Sequence, residues 1–430
     1  MKKILTFAII LLVVISVNAQ ETSESLVFVD GLYYFIESPS YTAIVANDQV
    51  WEDDELVIPE TITWCGKDYI VGKIWCTAFD YCLSLRKVII PKTVNAITNV
   101  GIDYDDMMNP FVGCRNLESI EVAEDNPSFC SVDGVLFSKD KTVLRCYPAG
   151  ARRETYTVPD GVERIGTGAF SYNQWLKSVV VANSVNEVSN FTFSYCSSLE
   201  HVKLSENLKG IGFSDFRDCA SLKSIEFPTG LLSIGGGAFN GCKSLTDITL
   251  PEGLHTVGSY AFQGCTALQS VTLPSTLETV EYWLFCDCHR LTDVTIPNGV
   301  TRLNGFAFEN CTSLNVLDLP ESVTYISHPF IGCMIKSLVI RGSVALENNS
   351  LQGLDTSSVI YVPANYVGMY KLLYRGTILP LEAYQPTGVD AVLHHEDASF
   401  FNLQGRRLTD NPSQPGIYIR DRKKYVQKHF

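Results

Sequence analysis

Several signatures are missing from this 430-residue chain, and each absence removes a class of function. There is no CxxC pair, no C2H2 spacing and no HExxH, so the usual zinc frameworks are excluded. No GxSxG elbow occurs and no GK[ST] closes a glycine-rich loop, which removes the strained nucleophile turn and the phosphate loop. Cations are scarce: 33 Lys and Arg against 47 Asp and Glu leave a net charge of −14. That is the wrong sign for general binding to nucleic acid, whose affinity rests on clustered cations. After the first twenty residues no apolar run approaches the ~20 residues of a membrane helix. With 46% hydrophobic residues the chain can bury a core, and what it has in abundance is cysteine, 14 in all.

The first residues read as an export signal. Lys2 and Lys3 precede an apolar run from Ile4 to Val17, and Val17-Asn18-Ala19 offers small residues for cleavage before Gln20. The run is short for a bilayer span, and the first cysteine, Cys65, is too distant for a lipid anchor. Loss of Lys2 and Lys3 takes the charge from −14 to −16. Export places the thiols in an oxidising compartment.

Phenylalanine recurs every 23 residues at Phe170, Phe193, Phe216, Phe239, Phe262, Phe285 and Phe308, with Phe330 after 22. Cysteine keeps the same phase at Cys196, Cys219, Cys242, Cys265, Cys288, Cys311 and Cys333. A leucine follows three residues later, then an alternating pair such as Ile248/Leu250, and often a proline such as Pro251. The unit is IGxxAFxxCxxLxxIxLPxxV. Its LxxIxL part alternates with period two and predicts a short strand that proline ends. Around AFxxC the apolar residues fall three apart, which predicts a helical or 3₁₀ turn. One coil cannot cover both apolar sets, so coils must stack into a solenoid of the leucine-rich repeat class.

The pattern continues upstream with defects. Phe79/Cys82/Leu85 and Phe111/Cys114/Leu117 are full units, but nine extra residues, including Asp103 to Asp106, lie between them. The insertion lacks the DxDxDG spacing of a calcium loop. Asn173 takes the cysteine position of one coil. Asn126 to Pro148 departs from the repeat and predicts a β-hairpin insertion, with Cys130 and Cys146 at its flanks as the candidate disulfide. Nine cysteines (82, 114, 196, 219, 242, 265, 288, 311, 333) occupy one repeat position and read as small buried hydrophobes. Cys286 takes a phase filled elsewhere by Gln263 and Glu309, which predicts exposure.

The units IGGGAFNGCKSLTDITLPEGL and VGSYAFQGCTALQSVTLPSTL, with the insertion SVDGVLFSKDKTVLRCYPAG, resemble BspA-like leucine-rich repeat proteins of the bacterial cell surface over roughly Val27 to Leu381. The resemblance implies an α+β repeat fold: a right-handed solenoid with short parallel strands on one face. It implies a non-catalytic binding role, with adhesion to host extracellular matrix proteins or to other cells known for some members. Residues 20–70 are expected to form an N-terminal cap and 71–381 the solenoid. Residues 382–430 follow as a linker and a small all-β module.

In that tail the elements NLQGRR (402–407), GIYI (416–419) and KKYV (423–426) resemble C-terminal sorting domains of type IX secretion, which implies secretion machinery as a partner. Residues 401–430 hold seven Lys or Arg against two Asp. The expected location is extracellular or at the outer cell surface, or the periplasm if the module does not sort the chain.

No catalytic, cofactor or metal residue is assigned. The seven histidines are scattered in different repeat phases, and the one cluster, His394-His395-Glu396, precedes the tail. Gly210-Ile211-Gly212 and Gly235-Gly236-Gly237 fall where other coils turn. Candidate ligand-facing residues are those flanking the inward position of each strand: Ser224, Glu226, Asp247, Thr249, Ser270, Thr272, Asp293, Thr295 and Asp318. Threonine also suits strands and acid keeps a surface soluble, so the same residues fit a plain solvated face. Tyr195, Tyr260, Tyr282 and Trp283 are further candidates on the turns, either exposed or packed between coils. A protein or a glycan fits as ligand; a glycan-recognising accessory protein is the alternative to an adhesin.

Overall fold

A computed structural model describes residues 25–385 apart from 38–39, 41, 47–50, 99–107 and 347–349, together with 416–420 and 423–427. The export segment, the insertion Asp103 to Asp106, His394-His395-Glu396 and NLQGRR lie outside the described residues.

The chain winds into stacked coils whose interior is made of continuous columns. The strands Ser178–Val180, His201–Lys203 and Ser224–Glu226 pair in parallel, each shifted by one repeat. Asp247–Thr249, Ser270–Thr272 and Asp293–Thr295 do the same. Val179, Val202, Ile248, Val271 and Val294 point inward and are buried, while their neighbours face out, as the alternation requires.

A second ladder runs along another side. Gly210–Ile211, Ser233–Ile234 and Thr256–Val257 pair in parallel and bury Ile211, Ile234 and Val257. Parallel strands therefore occupy two sides of the coil, not one, and Gly210 belongs to a strand where a turn was expected.

The third side carries the phenylalanines. Phe193, Phe216, Phe239 and Phe262 are buried and stack at centroid distances of 5.2 to 5.3 Å, with planes within 10° of parallel. The AFxxC segment is not a helix. Within it Asn240 donates to Gly237 O and Cys242 to Phe239 O, but Gly237, Phe239 and Gly241 donate to Ser259, Ala261 and Gln263 of the next coil. A left-handed residue at each end of the turn redirects these amides along the axis: Gly237 and Gly241, Tyr260 and Gly264, Trp283 and Asp287, Phe306 and Asn310. Apolar spacing of three is common to a helix and to this broken turn, which is why the sequence misleads. Among the described residues one α-helix occurs, Val367–Leu373, packing Tyr370 into the last coil. The helical share of the α+β expectation reduces to that element and two 3₁₀ turns.

The repeated cysteine has a chemical role. Cys219, Cys242, Cys265 and Cys288 each donate their thiol to the carbonyl of the preceding coil's phenylalanine, at 3.0 to 3.3 Å. A small, apolar side chain with one donor fills the site. Asn173 meets the same need through Nδ2 to Pro148 O at 3.3 Å, and its Oδ1 accepts from Trp175 and Leu176.

The cap and the solenoid share strands, so the boundary placed at residue 70 falls inside one. Lys67–Trp75 pairs antiparallel with Thr61–Trp64 and parallel with Ala96–Thr98. Glu55–Val57 likewise opens a parallel ladder with Lys87–Ile90 and Ser119–Val122.

The insertion is a three-stranded meander rather than a hairpin. Phe129–Val132 turns through Asp133 and Gly134, both with positive φ, into Val135–Ser138, and Val143–Cys146 follows and joins the solenoid's second ladder at Arg164–Ile165. The middle strand separates Cys130 from Cys146 by two strand spacings, about 9.6 Å, beyond disulfide reach. Both thiols are free, so the expected Cys130–Cys146 disulfide is not formed. Cys286 is buried, not exposed: its thiol lies between the Asp287 and Glu309 carboxylates. In the tail, Gly416–Arg420 and Lys423–Gln427 form an antiparallel pair.

Candidate binding surfaces

The predicted strand-face residues form two outward columns. Ser224, Glu226, Asp247, Thr249, Thr272 and Asp293 are exposed; Ser270 and Thr295 are half-buried. Thr249, Thr272 and Thr295 stand on successive paired strands, as do Asp247, Ser270 and Asp293. Ser270 donates its hydroxyl to Asp247 Oδ1 at 3.1 Å, which fixes the rotamer of both without covering them. Asp318 differs from the rest. Arg341 holds its carboxylate through two bonds, Nε to Oδ1 at 2.8 Å and an Nη to Oδ2 at 2.7 Å, so it is already engaged.

The tyrosines and tryptophan on the turns are both exposed and packed. Tyr260 stacks on Trp283 at 4.9 Å and Trp283 on Phe306 at 4.9 Å, with planes within 9°. Tyr260 and Tyr282 nevertheless remain about 40% exposed. Tyr195 stacks on Tyr172 at 4.6 Å. Sequence reasoning missed a group around that pair: Tyr81, Arg115, Arg152 and Trp175. Tyr172 and Tyr195 share one column, a signal visible as tyrosine in a single repeat phase, whereas the two arginines follow no period.

Burial perturbs the acidity of several side chains, among them two ladder thiols and one carboxyl. Burial pushes the Cys196 and Cys265 thiols up to about 12, which keeps them protonated and inert. Asp215 takes the position filled by alanine in the coils of Phe170, Phe239, Phe262 and Phe308. It is fully buried and accepts from the Gly212 and Thr192 amides at 2.6 and 3.1 Å. Burial raises its carboxyl to about 7 against those bonds. Its partners are turn residues of its own coil and the preceding one, so it serves the turn. Among the described residues no group of three or more His, Cys, Asp or Glu is arranged to hold a metal. No described helix is long and apolar enough to cross a membrane.

Comparison with known proteins agrees with the repeat. Solved structures similar to the chain include a leucine-rich repeat protein from Eubacterium ventriosum, 26% identical over 65% of each chain with a TM-score of 0.45. The chain thus spans about two thirds of that protein's length. Another is a leucine-rich repeat protein from Bacteroides ovatus, 21% identical, covering 82% of this chain and 99% of that one, with a TM-score of 0.44. A leucine rich cell surface protein from Faecalibacterium prausnitzii is 17% identical, covering 64% and 95%, with a TM-score of 0.34. No curated protein matches. Residues 149–251 and 232–355 match the model of the BspA type leucine rich repeat region, in 6 copies. Over residues 149–355 the coils are thus repeats of the BspA type.

Proposed function

We propose that the protein is exported, held at the outer cell surface, and binds macromolecules through its strand face without catalysing a reaction. The observation that carries this reading is the face itself. Over Ser224 to Thr295 its outward side chains are repeated and regularly spaced, and their sole mutual bond is Ser270 to Asp247. Small hydroxyls and acids at strand spacing suit a basic or hydroxyl-rich protein surface, and adhesion to matrix proteins or to other cells is the role this fits. The module at 382–430, basic over 401–430, is read as the element that engages secretion machinery.

The test is capture of matrix and microbial surface components from intact cells by the full chain and by a variant bearing Asp247→Lys, Thr249→Lys, Asp293→Lys and Thr295→Lys. Loss of captured protein in the variant is expected. Capture by neither, or equally by both, overturns the reading. Surface fractionation with and without residues 387–430 tests the module.

A further inference from the structure

The turn corner of the early coils combines rings and guanidinium groups that the core does not require. The Arg115 guanidinium lies over the Tyr172 ring, 5.1 Å from its centroid, and that of Arg152 lies 5.3 Å over Trp175. Tyr172 and Trp175 are three residues apart on one turn, and Trp175 is 44% exposed. Tyr81, 48% exposed, leans across Gly113, where a built Cβ would lie 2.5 Å from its ring. Its hydroxyl meets that of Tyr172 at 2.8 Å.

Charge sets these two arginines apart from the cations held in ion pairs. On an acidic chain, Arg86, Lys87, Lys177, Lys223 and Arg341 each meet a carboxylate. Arg115 and Arg152 are exposed, and among the described residues neither forms an ion pair. A guanidinium stacked on a ring has its plane fixed while its N–H edge stays free, which suits two-point capture of a carboxylate.

The backbone decides between ligand classes. Tyr81, Tyr172 and Tyr195 donate their amides to Val112, Ser194 and Arg217 of the next coil at 2.7 to 2.8 Å. An extended peptide therefore finds no free main-chain donors at these positions and cannot add as a strand. Recognition has to come from side chains: two guanidinium edges, a paired phenol donor and an exposed indole. A carboxylate for the arginines, hydroxyls for the phenols and a C–H face for the indole occur together on an acidic sugar.

We infer that this corner binds an acidic glycan through a carboxylated sugar, a uronic or sialic acid unit, with Arg115 and Arg152 pairing carboxylates and Trp175 supplying the apolar platform. The site is separate from the strand face and stands whether or not that face binds protein.

The experiment measures binding of the full chain to oligogalacturonate and to sialyllactose, each beside its uncharged counterpart, the methyl ester and lactose. Binding to at least one acid is expected, weakened about tenfold or more in the neutral form and by added salt. The two acids distinguish a uronate polymer from a terminal sialic acid. Arg115→Gln and Arg152→Gln should each lower affinity about tenfold, and Trp175→Ala should also remove the change in tryptophan emission on binding. The site is overturned if neither acid binds, if the neutral forms bind equally, or if the double arginine variant keeps full affinity. An oligoglutamate peptide binding as tightly as the sugars overturns the glycan assignment. The neutral-ligand arms use the unaltered protein, so the result does not depend on how a variant folds.

Discussion

The coils from Glu154 to Glu226 and those from Thr246 to Asp318 share one interior and wear different surfaces. In both, the phenylalanine, cysteine and leucine columns are buried. At the rung just after the conserved leucine, however, the early coils alternate charge, with Lys177 on Glu154 at 2.7 Å and Lys223 on Glu200. The same rung in the later coils is Thr246, Gln269, Thr292 and Asn315, where Thr292 Oγ1 donates to Gln269 O at 3.2 Å. The turn corner diverges in parallel: arginines over tyrosine and tryptophan early, a neutral stack of Tyr260, Trp283 and Phe306 late. Packing repeats because each column must stay continuous, while the surface is free to vary.

The largest expected effect tests the common interior. Phe193→Ala in the early coils and Phe262→Ala in the late ones should each cost about 3–5 kcal/mol in chemical denaturation, because each empties a slot in a stacked column. A loss below about 1 kcal/mol at either site refutes the shared register.

Asp215, in the last of the early coils, should set a pH dependence. Its folded pKa, about 7, is above the unfolded value, so the folded state holds the proton more tightly. The associated stability is fully present below about pH 4 and is lost as pH rises toward about 7, by at most about 1.4 kcal/mol per pH unit. Asp215→Asn should flatten that slope in denaturation followed from pH 4 to 8. An unchanged slope assigns it elsewhere.

Thiol labelling sharpens the likeness of the two regions. The ladder cysteines from Cys196 to Cys311 should resist alkylation in the native protein and react together on denaturation, early and late alike. Rapid native labelling of any of them contradicts the burial. The smallest effect addresses the difference. Lys177→Gln with Lys223→Gln gives the early rungs the neutral chemistry of the late ones, and stability should change little, with any loss vanishing at high salt.

Much of this architecture is legible in the sequence. Period 23 was enough to place Phe239, Cys242, Leu245 and Ile248 in the core. Turn conformation was less legible, because a left-handed backbone is adopted here by Gly237, Tyr260, Trp283 and Phe306 in one column, with no shared chemistry. The fate of Cys286 depended on Glu309 one coil away, and that of Cys130 and Cys146 on an intervening strand. The strand face followed from alternation alone. The arginine-bearing corner did not, since Arg115 and Tyr172 are brought together across an irregular insertion.

All three backbone ladders direct their hydrogen bonds along the solenoid axis. A molecule tethered at one end and gripped by its ligand toward the other is loaded in line with those bonds, so they yield singly instead of in concert. Under tension it should peel one coil at a time, each releasing roughly 80 Å of extended chain. The repeat that builds the proposed binding face would thus also act as a shock absorber, lengthening in equal steps while the coils beyond the break keep their hold.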